Sequence, residues 1–232
     1  MTVILMLCTL LLFLAADYLV QRRRQTRAVE KLQPFLRRAF DLPEGTSLAT
    51  NHTWLRPDGQ GNIIIGLDEL IGKMIGATDE IILPPIGTSV ARVATPVTFI
   101  AQGKKLNVAL PVSGHVAEVN AYAKSHPGLS VQDPYGKGWL VKIRPTGSTP
   151  TNGLSTLKGE QARAWLKEQL QEMKEFFVAN MPSPQFATIQ DGGLPADGLL
   201  QQHEQEVWRA FQESFVTLLP TEPSNKTDRR GA

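Results

Sequence analysis

The sequence predicts a mainly β fold, a compact sandwich or barrel, preceded by a transmembrane helix and followed by amphipathic helices. Three observations carry this prediction. Residues Val3 to Val20 form an apolar run broken only by Thr9, Asp17 and Tyr18. Between His52 and Pro145, short apolar or alternating runs are separated by Pro- and Gly-rich turn signals. From Leu157 onward, apolar side chains recur at helical spacing. Composition agrees with a folded chain, since 42% of the 232 residues are hydrophobic and 20% charged. Lys+Arg 24 against Asp+Glu 22 leaves +2, which excludes a chain-wide nucleic-acid footprint. The one cysteine, Cys8, excludes a disulfide framework and any Cys-based metal centre. His52, His115, His126 and His203 stand apart, without metal-ligand spacing.

Residues 1–21 are expected to form a single membrane anchor. The run from Val3 to Val20 reaches about 27 Å as a helix, enough for a bilayer core. Arg22, Arg23, Arg24, Arg27, Lys31, Arg37 and Arg38 follow it, opposed there only by Glu30. By the positive-inside rule, the amino terminus is then outside and the C-terminal domain cytoplasmic. A cleaved signal peptide is the rival reading, but it lacks a basic leading region and a matched pair of small residues at the cut. Residues 22–47 read as a basic juxtamembrane helix and linker, suited to anionic lipid headgroups.

Residues 48–146 carry the β texture. Strand-like runs fall at Asn62–Ile65, Glu80–Leu83, Val97–Ala101, Leu106–Leu110, His115–Val119 and Trp139–Ile143. Leu67, Leu70, Ile71 and Met74 instead mark a short helix closed by Gly76. Asp58, Gln60, Asn62 and Glu69 resemble a calcium loop only superficially, because Ile63 stands where glycine is needed.

Thr146 to Ser155 reads as a linker, and residues 156–219 as C-terminal helices. The first, Leu157 to Asn180, has Leu166, Leu170, Met173 and Phe177 on one face beside Trp165. The second, from about Leu199 to Leu219, groups Val207, Trp208, Phe211, Phe215 and Leu218. These stripes must be covered, either by the chain itself or by a protein partner in a membrane-associated complex. Met181 to Gly198 is expected to decouple the last helix, so that a domain cut after Ser155 stays folded. Residues 220–232 read as a disordered tail.

Several fragments of the β region belong together. They are His52-Thr53-Trp54-Leu55-Arg56, then Gly66-Leu67, Gly76, Pro84 and Gly87, then Pro111-Val112-Ser113-Gly114-His115-Val116. Asp133-Pro134-Tyr135-Gly136-Lys137-Gly138-Trp139-Leu140-Val141-Lys142-Ile143 closes the set. Over roughly residues 48 to 146 the chain resembles the H protein of the glycine cleavage system. That resemblance implies a barrel-sandwich hybrid fold and a lipoyl cofactor, amide-linked to a lysine at a hairpin tip. In the family's pattern, Glu-Ser-Val-Lys-Ala, that lysine precedes the Pro of the Pro-Val-Ser-Gly element by eight positions. Here Gly103 occupies the place, Ile100 replaces the acidic residue, and Thr53 stands where the family has Glu.

Two functions follow as expectations. One is a membrane-anchored, non-catalytic scaffold or docking subunit, with no lipoate and with Gln102-Gly103-Lys104-Lys105 as a plain hairpin turn. The other is a working carrier, with lipoate or another acyl group on Lys104 or Lys105. No Ser-His-Asp signature or phosphate-binding glycine loop suggests an active site of the chain's own.

Overall fold

The computed structural model describes residues 42–146, 154–180 and 197–217. The predicted anchor, the basic run and the tail lie outside the described residues. Among the described residues, no helix is long and apolar enough to cross a membrane. The chain divides into two compact units. One contains Leu42–Trp165 and the segment that begins at Asp197, and the other contains Leu166 onward through the rest of the long helix.

In chain order, the first unit contains β1 (Ser47–Ala49), β2 (Thr53–Pro57), β3 (Ile63–Leu67), α1 (Glu69–Ile75), β4 (Glu80–Ile82) and β5 (Ser89–Val90). It continues with β6 (Pro96–Ala101), β7 (Lys104–Ala109), β8 (Gly114–Val119), α2 (Ala121–Ser125), α3 (Leu129–Gln132), β9 (Val141–Pro145) and β10 (Thr156–Leu157). The long helix α4 spans Gly159–Asn180. A 3-10 turn, Leu199–Gln202, then α5, Gln205–Phe211, and a π turn, Gln212–Val216, follow. Seven strands form one antiparallel sheet in the order β10-β1-β2-β3-β9-β8-β5, and three form another, β4-β6-β7.

Period-two alternation makes the core. Register places Leu55 opposite Ile65 and Ile65 opposite Val141, with Ile63, Ile143 and Val116 in the next row. All six are buried on one face of the larger sheet. Arg56, Ile64, Lys142 and Glu118 line the other face, where Lys142 Nζ meets Glu118 Oε2 at 2.6 Å. In the smaller sheet Val97, Phe99 and Ala101 face the same way as Val108, Leu106 and Lys104.

Local chemistry explains the elements. Asp68 caps α1, its Oδ1 accepting from Ile71 N, and Gly76 closes the helix at φ 71. Asn120 caps α2 in the same way and donates from Nδ2 to the carbonyls of Lys137 and Trp139. Both α2 and α3 fall where no helical period is visible, because five and four residues are too few to display one. Asp58 is consumed by its own turn, accepting from Gln60 N, Asn62 N and Asn62 Nδ2. Those bonds, Asn62 foremost, hold its carboxyl below the usual range and account for the spacing that imitates a calcium loop.

Four expectations are corrected. The last helix is not continuous, since His203 and Glu204 separate the 3-10 turn from α5. The sheet reaches beyond residue 146, because β10 pairs with β1, Leu157 opposite Leu48. The segment from Asp197 is not decoupled from the β domain. Gly198 N donates to Lys73 O at 2.7 Å, and the two backbones touch so closely that a Cβ on Gly76 would lie 2.4 Å from Gly198 Cα. Trp208, Phe211 and Phe215, nominated from sequence as a surface for a partner, are buried in the chain itself. In the second unit Leu166, Leu170, Met173 and Phe177 are buried as well.

Candidate functional site

The hairpin β6–β7 is closed by a loop of two residues, Gln102 and Gly103, between the paired Ala101 and Lys104. Their φ angles are 50° and 74°. Two successive positive φ values mark the type I′ turn, which matches strand twist and favours glycine at its second position. Gly103 is exposed, and a Cβ there would meet nothing within 4 Å. Asp79 Oδ2 accepts from Gln102 N at 2.7 Å, tying the tip to the segment before β4.

The candidate lysines point apart, as the strand period requires. Lys104 shares the face of buried Leu106 and is half-buried, whereas Lys105 shares the outer face with Asn107 and is exposed. Lys104 Nζ donates to the backbone carbonyl of Gln201 at 3.0 Å. Gln102 Nε2 donates to Gln201 Oε1 at 3.2 Å, and Gln201 Nε2 reaches the carbonyls of Ile75 and Ala77 at 2.8 and 2.7 Å. Gln201 therefore joins the hairpin tip to the end of α1.

Further along β7, the free edge of the smaller sheet meets glutamine side chains instead of a strand. Asn107 N donates to Gln212 Oε1 at 2.7 Å. Lys105 N and O meet the carboxamide of Gln205 at the longer distances of 3.4 and 3.5 Å. Trp208 and Phe211, between these glutamines, are fully buried, and Trp208 Nε1 donates to Leu200 O at 2.7 Å. His203 lies near Lys104. Burial first, and then the Lys104 charge, hold its imidazole below the ordinary histidine value. Sequence reasoning missed Gln201, Gln205 and Gln212. Their spacing of four and seven residues, flanking Trp208, was the available signal.

A buried polar group lies at the start of β2. Asn51 Nδ2 donates to Ala109 O at 2.8 Å, and Thr53 Oγ1 donates to Asn51 Oδ1 at 2.7 Å. His52, at φ 62, bonds through Nδ1 to Asp68 Oδ2 at 2.6 Å, with both side chains fully buried. Trp165, near the start of α4, places its ring 4.7 Å from the His52 imidazole. Thr53, where the resemblance implies a glutamate, is thus an internal hydrogen-bonding residue with no solvent access. Among the described residues, no group of three or more His, Cys, Asp and Glu side chains is placed to hold a metal ion.

Fold and site define a small antiparallel β domain organised around a short hairpin. The family model for the glycine cleavage H-protein matches residues 47–169, just over half of the chain, and the chain belongs to that family. It is similar to the glycine cleavage system H protein of Pseudoalteromonas atlantica, 31% identical over 121 residues that are 51% of this chain and 92% of that protein. The probable glycine cleavage system H protein 2 of Saccharolobus solfataricus is 35% identical over 125 residues, 53% of this chain and 82% of that one. A crystal structure of a glycine cleavage system H protein from Mycobacterium marinum gives a TM-score of 0.47 at 22% identity, over 54% of this chain and 99% of that one.

Proposed function

We propose that the protein is a membrane-anchored, non-catalytic structural or docking subunit whose lipoyl site is degenerate. The observation that carries this reading is the hairpin tip. Gly103 offers no amine where the family's cofactor is attached, and the amine of Lys104, the next residue, is bound to Gln201 O beneath the chain's own C-terminal segment. The residues present therefore do not fit a lipoyl arm, which needs a free lysine at an exposed apex. Residues 1–21 would hold the subunit in the cell membrane as a single pass, with the basic run at anionic lipid and the β domain in the cytoplasm. Because Trp208 and Phe211 are buried, a protein partner would meet other side chains. Ile82, Ile86, Tyr122 and Val178 are the large apolar residues that remain exposed among those described.

A working carrier is the alternative, favoured by membership of the H-protein family and by the exposed side chain of Lys105. Intact-mass measurement of the protein purified from its native membrane separates the two. The unmodified chain mass is expected. A lipoyl-amide increment on a peptide containing Lys104 or Lys105 overturns the scaffold reading.

A further inference from the structure

We infer that residues 197–217 are a resident cover for the β6–β7 hairpin, which excludes from it the enzymes that attach or use an acyl group on a tip lysine. The inference deepens the non-carrier reading and rests on it. Loss of one lysine explains why the tip is unmodified, but it does not require a second element to sit on the hairpin. Here such an element is built in detail.

Gln201 engages the turn from both its side chain and its backbone, taking Gln102 Nε2 and Lys104 Nζ. Gln205 and Gln212 meet the backbone of Lys105 and Asn107, two positions apart on β7. An unpaired edge strand presents its N–H and C=O groups at alternate residues. Alternate groups along that edge repeat about every 6.8 Å, and the flexible side chains of Gln205 and Gln212 converge on that spacing from one helical face. Carboxamides at that spacing stand in for the donors and acceptors of a neighbouring strand, and so blunt an edge open to foreign pairing. Trp208 and Phe211 bury between them, and Gly198 and Gln201 fasten the start of the cover to α1. The hairpin therefore has its partner in the same chain. An enzyme pocket that must admit the turn and its flanking strand meets the cover first.

The test uses the full chain. In the native protein, the amide protons of Lys105 and Asn107 have no strand partner on that edge, so their hydrogen exchange reports the cover. Slowing on the order of a hundredfold relative to an unstructured amide is expected. Exchange at unstructured rates would show the cover unseated and end the proposal. Lysine is then supplied at the tip by Gly103→Lys and, separately, by Gln102→Lys, the latter at a position that already carries a side chain at φ 50. Each is given lipoate, ATP and a lipoate–protein ligase, which forms the amide on lysine Nζ and releases AMP and pyrophosphate. Modification is read by intact mass, with folding checked by circular dichroism. Modification slower by at least about tenfold than that of an ordinary H protein is expected, because a cover worth one factor of ten is the least that would matter. Adding Trp208→Ala should restore it. Lysine variants modified as fast as the ordinary H protein overturn the inference. So does a folded double variant that gains nothing, since the tip is then refused for another reason. Lipoate found on the native chain is a different result, and it overturns the non-carrier reading itself.

Discussion

A Cβ placed on Gly66 would lie 2.5 Å from the indole of Trp54, directly opposite it in the β2–β3 ladder. The ring is fully buried and donates to Pro134 O, so it has no room to retreat. Gly66→Ala is therefore expected to destabilise the domain by about 1–3 kcal/mol, measured as a lowered denaturation midpoint at unchanged slope. Asp68 holds two elements at once, α1 through Ile71 N and the β2 entry through His52. Asp68→Ala should cost about 3–5 kcal/mol, since a buried pair is broken and a cap is lost together. Asp68→Asn retains a cap acceptor and should cost less. Denaturant titration of both variants checks the order. At this scale the sequence showed which residues mattered more readily than why. Gly66 and His52 stood out with Trp54, yet nothing marked Asp68 as the partner of His52, sixteen positions away, because a single pairwise contact leaves no periodic trace.

Elements were legible wherever a face alternates or recurs. The runs around β3, β4, β6, β8 and β9, and the α1 and α4 periods, lie close to their observed bounds. The glycine at the β6–β7 turn was readable because a two-residue I′ loop demands it. What the stripe on α5 packs against was not readable. An apolar face states that it is covered, not by what. The structure answers for Trp208, and truncation to Ala should cost about 3–5 kcal/mol locally and expose the β7 edge. A cut after Ser155 removes both β10 and the cover, so the remaining domain is expected to melt lower and self-associate, by differential scanning and sedimentation. A truncated domain as stable as the full chain would show that the cover adds nothing to it. Acid should act on the same element. His203 is held below its ordinary 6.5 by burial and then by Lys104. The unfolded state then binds the proton more readily, so the contribution of this site is complete above the ordinary value and is lost as pH falls beneath it. On acidification, exchange at Lys105 and Asn107 should slow by less than the base-catalysed intrinsic rate predicts, and His203→Gln should remove that difference.

At the scale of the whole molecule, the contacts that define the site join positions about a hundred residues apart, Gln102 with Gln201 and Asn107 with Gln212. Sequence periodicity does not extend over such distances, so the resemblance located the hairpin but not its cover. Topology then decides what the cover is for. Attachment of an acyl group to lysine consumes ATP, which is available on the cytoplasmic side. A β domain held outside would never meet those enzymes, and its cover would exclude nothing. The eighteen residues from Val3 to Val20, followed by Arg22, Arg23 and Arg24, favour the cytoplasmic placement. A C-terminal reporter active only in an oxidising compartment should accordingly stay silent, and the protein should remain with membranes in high salt. Removal of residues 1–21 should release it. Replacing Arg22, Arg23 and Arg24 with Glu should weaken the topology bias and raise reporter activity in a fraction of molecules. Strong reporter activity in the unaltered chain, or a mature amino terminus at Asp17, would mean that the apolar run is a cleaved signal peptide. The cover would then have to be explained by protection of the β7 edge alone.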